Sequence, residues 1–395
     1  MDQQDLVEWA DTNLPDLYDP GMFDFEEASE DVWEAVDQIA HDTVLDFVTD
    51  PAERDAISDQ LTETARDWFA AHHATLCESV PPAPATEMAA LQAKPQVSQH
   101  SADWYAQRRN RLTASEFAQI LDGRRDALLR SKIAPLVEGA PIDRAPTAPV
   151  AIAQPDGEMN ATSWGHRFEP VVRDIFELES AGVGTVCDTL GRFTHSTIPW
   201  LSASPDGVVL SGPLAGRLVE IKSPKTRVPG TFVPDEYYIQ MQIQMEVCDR
   251  DAVEFVEAQF AQRPTELAGE SVAVSPQDSA ACDAARWKGM IEVYGYLDQP
   301  ETWTYRYSRP VEDLEDLDDI PQKAAPTLPR LESSVWWLTG WFPRTVLRNR
   351  DWWADAGWPA AELFWAQVES GRAAPPVTPT ADKIEWIGGG WAGRS

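Results

Sequence analysis

The sequence SASPDG at 202–207, followed by LVEIKSP at 218–224, decides the fold of this chain. Side chains alternate across a β-strand with a period of two. We therefore expect Glu220 and Lys222 to emerge on one face while Ile221 points into the core. The Pro-Asp-Gly turn brings a second carboxylate to the same place, so two acids and an ammonium group are predicted to meet at one point.

The second carboxylate belongs to Asp206, within that turn. Two carboxylates that face each other repel unless a divalent cation lies between them, and oxygen ligands suit Mg²⁺ or Mn²⁺ rather than Zn²⁺. Each half of the pattern alone has an ordinary explanation, because Pro-Asp-Gly is a common turn and Glu-Ile-Lys is a common edge strand. Their spacing and their flanking segments favour metal-dependent phosphodiester chemistry.

A third acid lies upstream, in WGHRFEPVVRDIFELESAG at 164–182. Apolar residues recur there at helical spacing, and Glu169 is in line with Val172 and Phe176 of that stripe. We expect Glu169 to point inward, although a solvated surface position is commoner for a glutamate. Burying a carboxylate is costly without a cation, which favours a place for Glu169 near the metal.

A glutamine-rich helix is predicted downstream, in YYIQMQIQMEV at 237–247. Residues three and seven apart share a helix face, so Tyr237, Gln240 and Gln244 should lie together. Neutral amides beside a metal site can hold a water or a phosphate oxygen without changing the charge of the site. We therefore expect this helix to border the acidic residues.

The segment WYAQRRNRLTASEF at 104–117 predicts an anion-binding helix start. Ser115 is a good N-cap for a helix running through Phe117 and Leu121, so free backbone N–H groups and a positive dipole end should lie beside it. Such an end binds phosphate, and Arg108 can add a bidentate contact. A helix cap with an unrelated surface arginine is the alternative for this segment alone.

This order of elements resembles the PD-(D/E)xK nuclease superfamily. Within it, the chain is similar to the YqaJ viral recombinase family, which includes lambda-type exonucleases. Trp104, Arg108 and Thr113-Ala114-Ser115 fit the spacing of that family. The resemblance runs from Trp104 to Arg372 and is closest to the branch of large DNA viruses. Arg350-Asp351-Trp352 matches a segment in the closing helices of that branch.

The resemblance implies an α/β fold with a PD-(D/E)xK restriction-endonuclease-like core, a central mixed sheet flanked by helices. It implies a Mg²⁺-dependent exonuclease, with Mn²⁺ as a substitute, that resects one strand of linear double-stranded DNA from its end for recombination, repair or viral DNA processing. Asp206, Glu220 and the Ile221 carbonyl would hold the ion. Glu169 would support the same ion or a second one, and Lys222 would orient or deprotonate the attacking water.

The same resemblance implies residues that contact DNA. Arg108 and Ser115 would grip the terminal phosphate. Tyr237 and Gln240 would line the site, with Gln240 among the catalytic residues. Gln242 fits the family's Tyr-x-x-Gln-x-Gln spacing but falls on the opposite helix face from Gln240.

Two other functions stay open. A structure- or nick-specific endonuclease would use the same metal core, and a non-catalytic scaffold could bind DNA ends while its acidic region recruits a single-strand annealing protein. Intact Asp206, Glu220 and Lys222 argue against the scaffold, since a binder needs no such set. Double-stranded DNA ends are the expected partner, and an annealing protein and a homo-oligomeric state are left open.

The net charge of −33 over 395 residues has the wrong sign for a protein that binds a polyanion. Residues 1–95 hold 23 acidic residues against three basic ones, a net −20. Most of the excess negative charge therefore lies outside the predicted nuclease domain. A DNA-mimicking lid, a docking face for a basic partner and a solvated face could each explain it, and the solvated face is the commonest.

The composition predicts a segmented, soluble, intracellular protein, in the cytoplasm or, for a virus, the host nucleus, without a membrane span or leader. The four cysteines show no metal-type spacing. We expect an acidic helical N-terminal region at 1–79, a Pro/Ala/Gln linker at 80–99, a YqaJ-like exonuclease domain at 100–372 with an acidic insertion near 310–330, and a flexible tail at 373–395. Deleting residues 1–95 should then leave a folded nuclease.

Overall fold

The computed structural model describes residues 1–18, 30–99, 101–134, 159, 161–180, 184–230, 233–267, 270–271, 282, 284–296, 299–317 and 327–373. The predicted tail lies outside this part of the chain except for its first residue, as do residues 318–326 of the predicted acidic insertion. Within the described residues, no helix is both long enough and apolar enough to cross a bilayer.

The helices begin where the sequence supplies capping residues. Asp2, Asp50 and Ser101 each accept a hydrogen bond from a backbone N–H of the first turn. The α-helices are α1 Gln3–Asn13, α2 Glu30–Thr43, α3 Pro51–Ser79, α4 Ala85–Ala93, α5 Ala102–Arg108, α6 Ala114–Leu121, α7 Arg125–Ile133, α8 Ala161–Glu179, α9 Asp235–Cys248, α10 Arg350–Trp352 and α11 Trp358–Ala373.

Two sheets form the β-structure. The strands are β1 Leu112–Thr113, β2 Val186–Cys187, β3 Phe193–Thr194, β4 Leu201–Ala203, β5 Gly207–Val209, β6 Leu218–Lys222, β7 Ala252–Leu267, β8 Glu270–Ser271, β9 Lys288–Tyr296, β10 Gln299–Tyr307 and β11 Arg330–Leu347. The larger sheet has the order β10-β9-β11-β7-β6-β5-β2, with β8 paired to β7, and the smaller has the order β1-β4-β3. In the larger sheet β6 and β7 are parallel and the other neighbours along that order are antiparallel.

Helices cover both faces of the larger sheet. One apolar core lies between the sheet and α6, α9 and α11, and a second lies between the opposite face and α8. Leu218 of β6 belongs to the first core, whereas Val219 and Ile221 belong to the second. Glu220 and Lys222 therefore emerge on the side of α9, which we name the α9 face. A mixed sheet flanked by helices confirms the predicted α/β fold class.

The N-terminal helices α1, α2 and α3 have an apolar core of their own, which includes the fully buried Phe69. The end of α3 rests on the larger sheet. His73 Nε2 lies 3.0 Å from the carbonyl oxygen of Thr345 on β11. Arg217, just before β6, donates to the carbonyl oxygen of Cys77 at 2.8 Å.

The predicted linker at 80–99 contains helix α4 and packs onto the sheet. Met88 and Leu91 are 3% and 1% exposed and belong to the core beneath the α9 face. The linker prediction is therefore wrong for this helix, because its two large apolar residues lie three apart on one face and have a core to enter. The proline-rich composition describes only the few residues that lead into α4.

Candidate active site

The turn before β5 and the strand β6 place the predicted acids together. The amide of Asp206 donates to the Val219 carbonyl oxygen at 3.1 Å, which sets the turn against β6. In return, the Ile221 amide donates to Asp206 Oδ2 at 2.8 Å. Residues 206, 220 and 222 therefore meet as predicted, because the turn and the period of the strand are both local features.

Glu220 is fully buried and bonds three donors. Gln240 Nε2 donates to its Oε1 at 2.6 Å, Gln244 Nε2 donates to its Oε2 at 2.6 Å, and the Lys222 ammonium donates to Oε1. A buried carboxylate is tolerated only with such partners. The two glutamines of α9, together with the lysine two residues away, hold this carboxylate in one orientation.

Two further carboxylates face Glu220. Burial raises the pKa of Asp206 well above its ordinary value, and the charges of Glu220 and Glu169 raise it further. Burial also raises the pKa of Glu169. The positive charge of Arg173 lowers this pKa, and the negative charge of Glu220 raises it further. Glu169 thus points from α8 toward the other acids, as predicted, and the three carboxylates repel one another.

Lys222 is held as a cation. Burial alone would lower its pKa, but Glu220 and Asp206 raise it above the ordinary lysine value. Its ammonium nitrogen lies 5.0 Å from the ring centroid of Tyr237, which adds a cation–π contact. Tyr237 therefore reaches the site through Lys222.

The donor chemistry of this cluster suits a divalent cation. Carboxylate oxygens are the ligands that Mg²⁺ prefers, and a cation would relieve the repulsion that raises the pKa of Asp206 and Glu169. Gln244 Oε1 is buried and has no hydrogen-bond partner among the described residues, so it can accept from a water. Among the described residues, no three acidic, histidine or cysteine side chains form a ready-made metal cluster. The Glu220 oxygens instead accept from Lys222 and two amides.

The acids open into a cleft of about 220 Å³. It brings together seven of the predicted residues, namely Arg108, Ser115, Glu169, Asp206, Glu220, Lys222 and Gln240. The other residues that line it are Gln99, Trp104, Thr113, Ala114, His166, Arg192 and Ser204. The cleft therefore has one acidic wall from the large sheet and one wall from α5, β1 and α6.

The second wall is organised around Glu116. Arg108 Nε donates to its Oε1 at 2.9 Å, and Lys132 Nζ and Thr113 Oγ1 donate to its Oε2 at 2.9 and 2.7 Å. Burial opposes ionisation of Glu116, yet Lys132 and Arg108 hold its pKa below the ordinary value. Arg108 is thus fixed in direction by a buried carboxylate rather than lying loose on the surface.

Ser115 is not the N-cap that the sequence suggested. Thr113 caps α6, in a reciprocal capping box with Glu116. Ser115 lies in the first turn, and its exposed side chain lines the cleft. The Thr-x-x-Glu spacing at 113–116 was the sequence signal for this arrangement.

Arg192 is a cleft residue that sequence reasoning missed. It is 2% exposed, its guanidinium carbon lies 4.3 Å from the ring centroid of Trp104, and it donates to the Trp104 carbonyl oxygen at 2.5 Å. Burial, and then the charge of Arg108, lowers the pKa of Arg192 to about 10. No local motif marks Arg192, because its partners lie far away in the sequence.

Gln242 lies away from the cleft, which corrects its predicted role. Its Nε2 donates to the Leu347 carbonyl oxygen at 2.8 Å, and its Oε1 accepts from the Asn349 amide at 2.7 Å. It therefore ties α9 to the end of β11. Gln244, on the face shared with Gln240, is the residue that bonds Glu220.

Comparison with known protein families gives one match. Residues 103–251 match the family model of the YqaJ-like viral recombinase domain. The match covers less than half of the chain, and this segment is similar to that family. The matched segment contains every cleft residue except Gln99, whereas β9, β10, β11 and the closing helices lie beyond it.

Solved structures and curated sequences were compared as well. An alkaline exonuclease, LHK-Exo from Laribacter hongkongensis, is 18% identical over 68% of this chain and 93% of its own, with a TM-score of 0.34, and its complex with dAMP gives the same values. A phage-related exonuclease from Haemophilus somnus 129PT is 13% identical over 66% of this chain and 92% of its own, with a TM-score of 0.30. The comparison with curated protein sequences gives no significant match.

Proposed function

We propose that this protein is a Mg²⁺-dependent deoxyribonuclease that resects one strand of linear double-stranded DNA from its end. The observation that carries the proposal is the buried Glu220, held by two amides and Lys222 beside two carboxylates with raised pKa values. Such a set serves phosphodiester chemistry better than folding stability, because like charges in a buried cluster destabilise the fold. The YqaJ-like domain supports the same class of function.

Each residue then has a role that follows from its contacts. Asp206, Glu220 and the Ile221 carbonyl would hold Mg²⁺, with Glu169 supporting it. When bound, the ion polarises a phosphate oxygen and lowers the pKa of a water. Lys222, held as a cation, orients that water and stabilises negative charge as it develops on the phosphate.

The second wall of the cleft suits a terminal phosphate. Arg108 and Lys132 bond a single carboxylate, Glu116, and Arg192 adds a third cation, so this wall carries more positive than negative charge. The exposed Ser115 lies in the first turn of α6, where backbone N–H groups and the helix dipole favour an anion. A phosphate bound there would place the adjoining phosphodiester beside the acids, which favours cleavage from an end over cleavage within a strand.

A time course on three forms of one DNA tests the proposal: linear, nicked circular and covalently closed duplex, each with Mg²⁺ and with EDTA. We expect loss of the linear form only, only with Mg²⁺, and no loss with Asp206→Asn. Cleavage of the nicked or closed circle would show the endonuclease instead. Binding of linear DNA without cleavage under any metal would show the scaffold.

A further inference from the structure

The α9 face of the larger sheet continues well beyond the cleft. On β6 and β7, Lys222 pairs with Glu257, and residues 259, 261 and 263 follow on the same face. Residue 261 pairs with Trp337 of β11, which pairs in turn with Lys288 of β9. Because paired residues point to the same side of a sheet, Trp337 and Lys288 share the face of the catalytic lysine.

Aromatic rings with a cation above them recur along this face. Lys222 lies over Tyr237, the guanidinium carbon of Arg263 lies 5.6 Å from the Trp337 ring centroid, and that of Arg306 lies 5.8 Å from the Tyr294 ring centroid. Arg306 pairs with Glu292 and therefore lies on the same side as Tyr294. We name the residues Arg263, Lys288, Tyr294, Arg306 and Trp337 the aromatic strip.

The two faces of these strands differ in exposure. Trp336, Leu338 and Ile291 point the other way and are buried in the core beneath α8. The five residues of the aromatic strip are each half-exposed. Aromatic side chains and arginines left at the surface, on the face opposite a packed core, are what a binding surface requires.

The charge and length of the aromatic strip fit a strand of nucleic acid. It carries three cations, and the acid beside Tyr294, Glu292, is buried and paired with Arg330. This local charge contrasts with the net −33 of the whole chain. From the level of Lys222 the aromatic strip runs four residues along β7 and a further six along β9 to Tyr294. At ~3.3 Å per residue this is a path of about 33 Å that starts at the cleft.

We infer that the aromatic strip binds single-stranded DNA, with bases stacked on Trp337 and Tyr294 and phosphates paired to the flanking cations. Stacking on aromatic rings within a basic groove accepts every base, so the binding is independent of sequence. The inference rests on the proposed function for the origin of the strand: resection at the cleft releases the surviving strand beside the start of the strip.

Fluorescence anisotropy with a labelled oligothymidine of about 15 nucleotides, in EDTA, tests the inference without any cleavage. We expect Trp337→Ala and Arg263→Ala each to weaken binding by about 5- to 100-fold, and Trp337→Phe to keep most of the affinity. Arg286→Ala is the matched control, because Arg286 also lies over a tryptophan, Trp287, but that ring is in the core beneath α8. This control should bind within about twofold of the wild type.

Thermal melting shows whether each variant is folded before its affinity is compared. If Trp337→Ala does not fold, the affinity of Arg263→Ala alone tests the inference. Unchanged affinity in both strip variants overturns the inference. A change of sedimentation mass in Trp337→Ala also overturns it, since the face would then join two copies of the chain. If the strip variants lose oligothymidine binding but the wild type cleaves no DNA, the inference about the strip is supported and only the proposed nuclease activity is rejected.

Discussion

Asp206 shows the conflict between stability and function at the scale of one residue. Its pKa is raised by burial and by two neighbouring acids, so ionising it in the folded protein is unfavourable. Its contribution to stability is therefore present at low pH and is lost as pH rises through the raised pKa. A protein that keeps such a residue near neutral pH gives up stability for a site that a cation can fill.

We predict that Asp206→Asn is more stable than the wild type in EDTA at neutral pH and does not cleave DNA. The asparagine oxygen can still accept from the Ile221 amide, while the repelled charge is gone. A gain of about 1 kcal/mol in the free energy of unfolding corresponds to roughly 2–4 °C in Tm for a domain of about 150–250 residues. Melting with and without Mg²⁺ checks it: the ion should raise the wild-type Tm more than that of the variant. A lower Tm in EDTA would contradict the repulsion.

Arg108 gives a second prediction at this scale. A charged hydrogen bond to phosphate contributes about 1.5–3 kcal/mol, so Arg108→Ala should slow cleavage of end-phosphorylated duplex by roughly 10- to 150-fold. The variant should slow cleavage of dephosphorylated duplex much less, because that substrate lacks the phosphate that Arg108 would bind. Arg124→Ala is the control, since this exposed arginine pairs with Asp122 and does not line the cleft. Equal slowing on both substrates would make Arg108 a structural residue.

Helix α9 shows at the scale of one element how a two-residue step separates two roles. Gln240 and Gln244 are four apart and both reach Glu220, whereas Gln242 between them points to the end of β11. The sequence spacing predicted the shared face of Gln240 and Gln244. It could not predict the contact of Gln242 with Leu347, because that partner lies 105 residues away.

We predict that Gln240→Ala affects the rate of cleavage, whereas Gln242→Ala affects the stability of the fold. The first removes a hydrogen bond from Glu220 Oε1, but Lys222 still donates to that oxygen, so kcat should fall with only a small change in Tm. The second removes both hydrogen bonds by which Gln242 ties α9 to the end of β11, which should cost about 1–3 kcal/mol of stability with little change in kcat. Denaturant melts beside single-turnover kinetics separate the two. A large loss of kcat in a stable Gln242→Ala would restore Gln242 to the site.

Sequence patterns of short range were enough for the core of the site. The turn at 205–207 and the alternation of β6 predicted how Asp206, Glu220 and Lys222 meet, and helical spacing predicted the inward Glu169. The second wall was only half predictable: the helix start at 104–117 and the resemblance both pointed to Arg108 and Ser115. Lys132 bonds Glu116 and Arg192 contacts Trp104, each through segments that are distant in the sequence, and no local rule anticipates these contacts.

At the scale of the whole molecule, the acidic helices lie apart from the cleft, so a net charge of −33 is compatible with the proposed action on DNA. None of the described residues that line the cleft comes from the acidic helices at 1–79. Those helices contact the sheet at Arg217 and Thr345, and Arg217 stands at the end of β6 opposite Lys222. This placement favours a solvated or partner-docking face over a lid that covers the cleft.

The predicted deletion of residues 1–95 must be revised in the light of α4. A chain that starts at Gln99 loses Met88 and Leu91, and removing large buried apolar side chains costs about 2–5 kcal/mol each. That sum is comparable to the total stability of many proteins, about 5–15 kcal/mol. We therefore expect this chain to be unfolded or aggregated by circular dichroism and size exclusion. A cooperative melt near the full-length Tm would contradict the role of α4.

A chain that starts at Pro81 should instead fold, with a lower Tm, because it keeps α4 and loses the contacts of α3 with Thr345 and Arg217. Its DNA affinity should exceed that of the full chain at low ionic strength and match it at ~150 mM salt, where charges are screened beyond ~8 Å. Affinity and cleavage rate over a salt series check this. Activation by about tenfold or more at ~150 mM salt would exceed what screened charge can leave. It would mean that the acidic helices do reach the cleft and act as a lid.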